Sequence, residues 1–135
     1  MRLLPVAMVA LIAASSVPTP AVADQDQLVA NICDYVKSND KNRLRKKLKE
    51  SRVKLRNIYS GVSCDGVSLL RTSLTAGSNE VGEFIAKRLT ATELSGAEAD
   101  GMTIQAWANA NGHGASPITA AINERLGGGG GDDEE

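Results

Sequence analysis

"DGVSLLRTSLTAGSNEVGEFIAKRL" (residues 65–89) and "DGMTIQAWANANGHGASPITAAINERL" (residues 100–126) are one phrase written twice, 35 residues apart. Each copy opens on an Asp-Gly pair, Asp65-Gly66 and Asp100-Gly101, a dipeptide that marks a tight turn. In the first copy Leu69, Leu70, Ser73 and Leu74 fall on one helical face, Gly77 interrupts, and Val81, Phe84, Ile85 and Leu89 form the stripe of a second helix. In the later copy Met102 to Ala108 reads as the first helix and Asn111-Gly112 as its stop. Ser116 can cap the last helix, Pro117 can open it, and Ile118, Ile122 and Leu126 give its stripe. A lone helix pair cannot bury its apolar face, whereas pairs laid side by side share one.

A weaker copy precedes these two. "DQDQLVANICDYVKSND" predicts a helix capped by Asp24 or Asp26, with Leu28, Ile32 and Val36 on one face, broken at Ser38-Asn39-Asp40. Asp40 can cap a second helix, "KNRLRKKLKE", whose apolar stripe is only Leu44 and Leu48. Ile32-Cys33 stand 37 residues before Leu69-Leu70, and Leu44 and Leu48 match Val81 and Ile85, but the opening turn is missing. "SRVKLRNIYSGVSCDG" holds no helical period and reads as a connector with partly buried apolar residues; "TATELSGAEAD" reads as a small polar linker.

The order of turn, helix, glycine and helix, with a period near that of the family, resembles an ankyrin repeat. Gly66, Ser68, Leu70 and Ser73 fall on the Gly, Thr, Leu and Ala places of that family's opening segment; Gly101, Thr103, Gln105 and Ala108 do so in the later copy. The chain departs from the pattern with Leu69 and Ile104 at the Pro place, Arg71 and Ala106 at the His place, and Gln105 for a core Leu. The resemblance implies an all-α fold of stacked helix pairs, degenerate ankyrin repeats, with a small irregular α-bundle as the alternative.

The ends of the chain read differently. Met1-Arg2, the apolar run Leu3 to Ala14 and the small-x-small site Ala21-Val22-Ala23 predict a signal peptide over residues 1–23, with an uncleaved anchor as the alternative. A single helical domain would then occupy residues 24–126, and the Gly-rich acidic segment 127–135 is expected to be a disordered tail. The run Leu3 to Ala14 is too short to span a bilayer, and no comparable apolar run follows it. These features predict a periplasmic or secreted protein with no transmembrane segment after cleavage. In such a chain an even cysteine count, Cys33 and Cys64, reads as a disulfide; two buried thiols are the alternative, and two Cys with one distant His make a poor metal set.

A second resemblance covers residues 32 to about 89. A Cys-bearing helix (Cys33), a basic helix (Lys41 to Lys49) and a Cys-Asp-Gly turn (Cys64-Asp65-Gly66) feeding another helix are similar to a group of small exported bacterial proteins catalogued as a domain of unknown function. That resemblance implies export and a fold, and no activity.

Charge is the strongest chemical feature. Lys37, Lys41, Arg43, Arg45, Lys46, Lys47, Lys49, Arg52, Lys54 and Arg56 are ten of the 15 positive side chains, whereas beyond residue 90 only Arg125 stands against eight acids. The net charge of −1 conceals this polarity. The stretch Lys41 to Arg56 predicts an anion- or partner-binding face, with a solvated helix face as the alternative. An anionic envelope surface or a protein partner fits; export and the lack of interleaved aromatics count against nucleic acid. No catalytic set is visible. His113 has no triad spacing to Ser116, and "GGGGG" lacks the Lys-Ser/Thr of a phosphate loop, so neither an enzyme nor a cofactor is expected. The expected function is non-enzymatic binding, with a structural or envelope-stress role as the alternative.

Overall fold

A computed structural model describes residues 20–128, with side chains from 25 to 127. The expected signal segment therefore lies outside the described residues except for its last four, and the tail except for its first two. The order is α1 (Pro20–Lys37), α2 (Lys41–Glu50), α3 (Leu55–Ile58), β1 (Ser63–Cys64), β2 (Val67–Ser68), α4 (Leu69–Ala76), α5 (Asn79–Arg88), α6 (Ala91–Ser95), α7 (Ile104–Ala110) and α8 (Pro117–Gly128). A 3₁₀ turn, Tyr59–Gly61, follows α3. The fold is predominantly helical, with one two-stranded hairpin.

Four features differ from the sequence reading, one being that α7 runs Ile104–Ala110 and not Met102 to Ala108, because Thr103 takes the N-cap and leaves Met102 outside the helix. Helix α1 starts at Pro20, so Asp24 and Asp26 lie within it and not at its N-cap position; Pro is suited to a first helical position and no breaker separates it from Asp24. The connector contains the single turn α3, which buries Leu55. The polar linker contains α6, started by a capping box in which Thr90 accepts from the Glu93 amide and Glu93 accepts from the Thr90 amide, and it buries Leu94.

Helices α1/α2, α4/α5 and α7/α8 form three successive pairs. The first helices α1, α4 and α7 adjoin in order, and so do the second helices α2, α5 and α8. The shared seam is aliphatic: Ile32, Val36, Leu44, Leu69, Leu70, Val81, Ile85, Leu89, Ile118 and Ile122 are all shut off from solvent. Helices α5 and α8 approach so closely that a Cβ at Gly82 would run into the Ile118 side chain. That contact explains a glycine inside a helix, where it ordinarily costs about 1 kcal/mol.

The repeated phrase is repeated in structure. Ser68 and Thr103 each sit at an N-cap, and their side chains accept from the amides of Arg71 and Ala106. Both Asp-Gly pairs sit at the tips of tight antiparallel turns, the first in the β1–β2 hairpin and the second within the isolated Ala97–Thr103 bridge, and the two turns differ. Asp65 and Gly66 both have positive φ (55° and 80°), as a two-residue type I′ turn requires, with Cys64 opposite Val67. At the second tip only Gly101 is left-handed (86°); its amide donates to the Glu98 carbonyl and the Glu98 amide donates to Met102, so the loop is one residue longer.

Each pair is joined by a turn through a left-handed residue, Asn39, Gly77 or Gly112, followed by an amide that reaches back five residues (Asp40 to Tyr35, Ser78 to Ser73, His113 to Ala108). Asn39 thus stands where the other two turns have glycine. Cys33 and Cys64 form a disulfide with Cα atoms 5.6 Å apart, fastening α1 to β1.

Candidate functional site

Helix α2 buries only Leu44 and Leu48, so its other positions face water. Lys41, Arg43, Arg45, Lys46, Lys49, Arg52, Lys54 and Arg56 are exposed and Lys47 half-buried. Asp40 takes the cap by accepting from the Arg43 amide and holds the Arg43 guanidinium at 3.4 Å. Among the described residues no carboxylate pairs with Arg45, Lys46, Lys47, Lys49, Arg52, Lys54 or Arg56.

The structure divides this stretch. Arg45, Lys49, Arg52 and Lys54 converge on a cavity of about 340 Å³, joined by Arg88 from the end of α5. Its apolar walls are Leu48, Val53, Leu55 and Phe84, and the Arg88 guanidinium lies 4.5 Å from the centre of the Phe84 ring. Lys41, Arg43, Lys46, Lys47 and Arg56 do not line it. Lys41 instead borders a shallow recess with Ser38, Asn39, Asp40, Asn42 and Glu80.

The turn that ends α2 builds one wall of the cavity. The Val53 amide donates to the Leu48 carbonyl and the Arg52 amide to Lys49, with Arg52 at φ 55° between them. This is the Schellman arrangement, whose apolar contact joins the residue after the left-handed position to the last full turn, here Val53 to Leu48. Among the described residues the other non-glycine residues at positive φ are Asn39 and Asp65, types that tolerate it; an arginine does so rarely.

A second charged cluster has the opposite character. Arg71, nearly buried on α4, forms a bidentate pair with Asp100 (2.7 Å to each oxygen) and sets Nε 2.7 Å from Glu98 Oε1, an ion pair without an aligned hydrogen bond. Tyr59 Oη donates to Glu98 Oε2 (2.8 Å), Ser68 Oγ donates to Glu98 Oε1 (2.9 Å), and the guanidinium lies 5.0 Å from the Trp107 ring centre. The Arg71 hydrogen bonds hold the Asp100 carboxyl down at about 2 and raise the arginine further above its ordinary value. Burial, then the Glu98 charge, raises Tyr59 far above an ordinary phenol, so it keeps its proton. Each carboxylate is neutralised and each hydroxyl is used as a donor. The cluster fastens the second helix pair to the turn that opens the third.

His113 stacks on Trp107 (5.5 Å between centres, 20° between planes), donates its amide to Ala108 and accepts from Thr119 Oγ1 at its carbonyl. Among the described residues no three His, Cys, Asp or Glu side chains gather as a metal site, and no helix is long and apolar enough to cross a membrane.

Residues 32–96 match the family model described as Protein of unknown function (DUF3718). That similarity is to an uncharacterised domain family. The matched segment contains both cysteines, the basic helix and every residue lining the cavity, and it ends before Glu98 and Asp100. No curated protein and no solved structure matches the chain.

The clasp around Arg71 was not expected from the sequence. Its signal was a lone charge inside an otherwise uncharged helical word, "VSLLRTSL", with an acid in the Asp-Gly turn of the next copy. The partner Phe84 of the basic cavity comes from another helix pair, and spacing within α2 carries no trace of it.

Proposed function

We propose that this is an exported, non-enzymatic binding protein of the periplasm or extracellular space, whose basic stretch Lys41 to Arg56 engages an anionic partner. The helix pairs are read as degenerate ankyrin-like repeats, a scaffold suited to presenting one face. The observation that carries the reading is the set of seven basic side chains from Arg45 to Arg56, none of which forms an ion pair with a carboxylate among the described residues although Glu50 lies between them. Like charges crowded on ten helical residues repel, by a few tenths of a kcal/mol for each pair one turn apart. The face offers the fold little, and it gives an anion a concentrated field.

An anionic envelope surface fits this field. The test is retention on vesicles containing anionic phospholipid, across a salt series, for the native chain and for one with Arg45, Lys46, Lys47 and Lys49 changed to Gln. Retention should fall steeply as salt rises and be lost in the variant. Equal retention of both proteins, or retention indifferent to salt, would overturn the proposal.

A further inference from the structure

The cavity at the end of α2 combines two properties that neither a free phosphate nor a polyacidic peptide needs together. Its rim carries Arg45, Lys49, Arg52, Lys54 and Arg88, and its walls are Leu48, Val53, Leu55 and Phe84. Its volume, about 340 Å³, is at the small end for sites that enclose an organic ligand. We infer that it is a binding site for a small anionic amphiphile, a phosphate group carried on an apolar chain. The phosphate is held by the rim and the first part of the chain lies against the walls. This inference deepens the proposed function by naming a ligand class for the basic stretch, and it rests on that reading.

The helix dipole alone does not account for these cations. Lys47 and Lys49 in the last turn of α2, and Lys87 and Arg88 in the last turn of α5, stand where a positive charge favours a helix end. Arg52 and Lys54 lie past the end of α2, and the carbonyls of Leu48 and Lys49 there already accept from the backbone amides of Val53 and Arg52.

Arg52 is the second, independent observation. It occupies a left-handed position (φ 55°), equivalent in geometry to Gly77 and Gly112, where glycine carries no steric penalty. A long charged side chain is placed at a strained position and lines the cavity. Backbone strain of this kind collects at ligand sites. If Arg52 served only the fold, glycine would serve it better.

The test uses the full chain and three probes in calorimetry: dodecyl phosphate below its micellar concentration, inorganic phosphate, and dodecyl maltoside as the uncharged amphiphile. Dodecyl phosphate should bind about tenfold or more tighter than inorganic phosphate, as burial of part of its chain requires, and the maltoside should not bind. Arg52→Gly should weaken dodecyl phosphate several-fold while raising the melting temperature, a pair of opposite signs that a purely structural arginine would not give. Displacement of dodecyl phosphate by anionic vesicles identifies a bilayer lipid as the source, and failure of displacement identifies a soluble amphiphile; the inference stands on either. Equal affinity for dodecyl and inorganic phosphate, or an Arg52→Gly variant that binds as the native chain does, overturns it. If the protein then still binds anionic vesicles in a salt-dependent way, the broader reading survives the loss of the cavity; if it does not, both fall.

Discussion

Two joints hold three helix pairs together, and they are made of different chemistry. The first pair is fastened to the second by the Cys33–Cys64 bond, by Asn39 Oδ1 accepting from the Val81 amide (3.0 Å), and by an exposed Lys37–Asp65 pair. The second is fastened to the third by Arg71 with Glu98 and Asp100, supported by Tyr59, Ser68 and Trp107. The first joint is dominated by a covalent bond, which reduction breaks and acid does not. The second is ionic, so acid undoes it and reduction does not. The basic stretch Lys41 to Arg56 belongs to neither: its cations are left out of both joints.

The largest effect should come at the covalent joint. Changing Cys33 and Cys64 to Ser should lower the unfolding free energy by about 3–4 kcal/mol, since the bond closes a loop of roughly 30 residues in the unfolded chain. Urea denaturation checks this, and the loss should be alike at pH 4 and pH 7. A loss that grew sharply with acidity would mean the two joints are coupled.

Next in size, Arg71→Met should cost about 2–3 kcal/mol by leaving Glu98 and Asp100 without their counter-charge. Asp100 remains nearly half exposed, which keeps the cost below that of a fully buried pair. Adding Glu98→Gln and Asp100→Asn should restore part of the loss, because the uncompensated charges go with them. No recovery in urea midpoint would contradict the ionic account of this joint.

The pH dependence sharpens the contrast. Asp100 is held at about 2 against an ordinary 3.8. A carboxyl depressed on folding stabilises the native state above its unfolded value and loses that contribution as pH falls toward its folded one. The melting-temperature gap between the native chain and Asp100→Asn should therefore be full above about pH 4 and close as pH approaches 2. A gap unchanged over that window would remove Asp100 from the joint.

Much of the architecture could be read from the chain because it depends on local chemistry. Asp-Gly turns, the Ser68 and Thr103 caps, the aliphatic stripes and the cysteine pair each announce themselves within a few residues. What escaped reading depends on contacts across pairs. Arg71 finds its acids 27 and 29 residues away, and the cavity takes Phe84 from α5 to face Arg45 and Arg52. Helix α6 was legible in principle, since Thr90 and Glu93 stand at capping-box spacing. The left-handed Arg52 was not, because nothing about an arginine signals that conformation.

A smaller effect, of opposite sign, is expected at Arg52. Arg52→Gly should stabilise the protein by about 1 kcal/mol by relieving the left-handed backbone, a rise of roughly 4–8 °C in melting temperature for a domain of this size. A fall in melting temperature would show that the arginine supports the turn after all.

The central claim is that the cations of α2 work outward and not for the fold. Its most direct test is the urea-unfolding free energy of the variant with Arg45, Lys46, Lys47 and Lys49 changed to Gln. Lost attraction to the helix C-terminus and relieved repulsion between neighbours are both small and opposed. The variant should match the native chain within about 0.5 kcal/mol, the range of substitutions at exposed positions without structural partners. A loss of about 2 kcal/mol or more would show that these side chains hold the fold together, and the case for a binding face would fail.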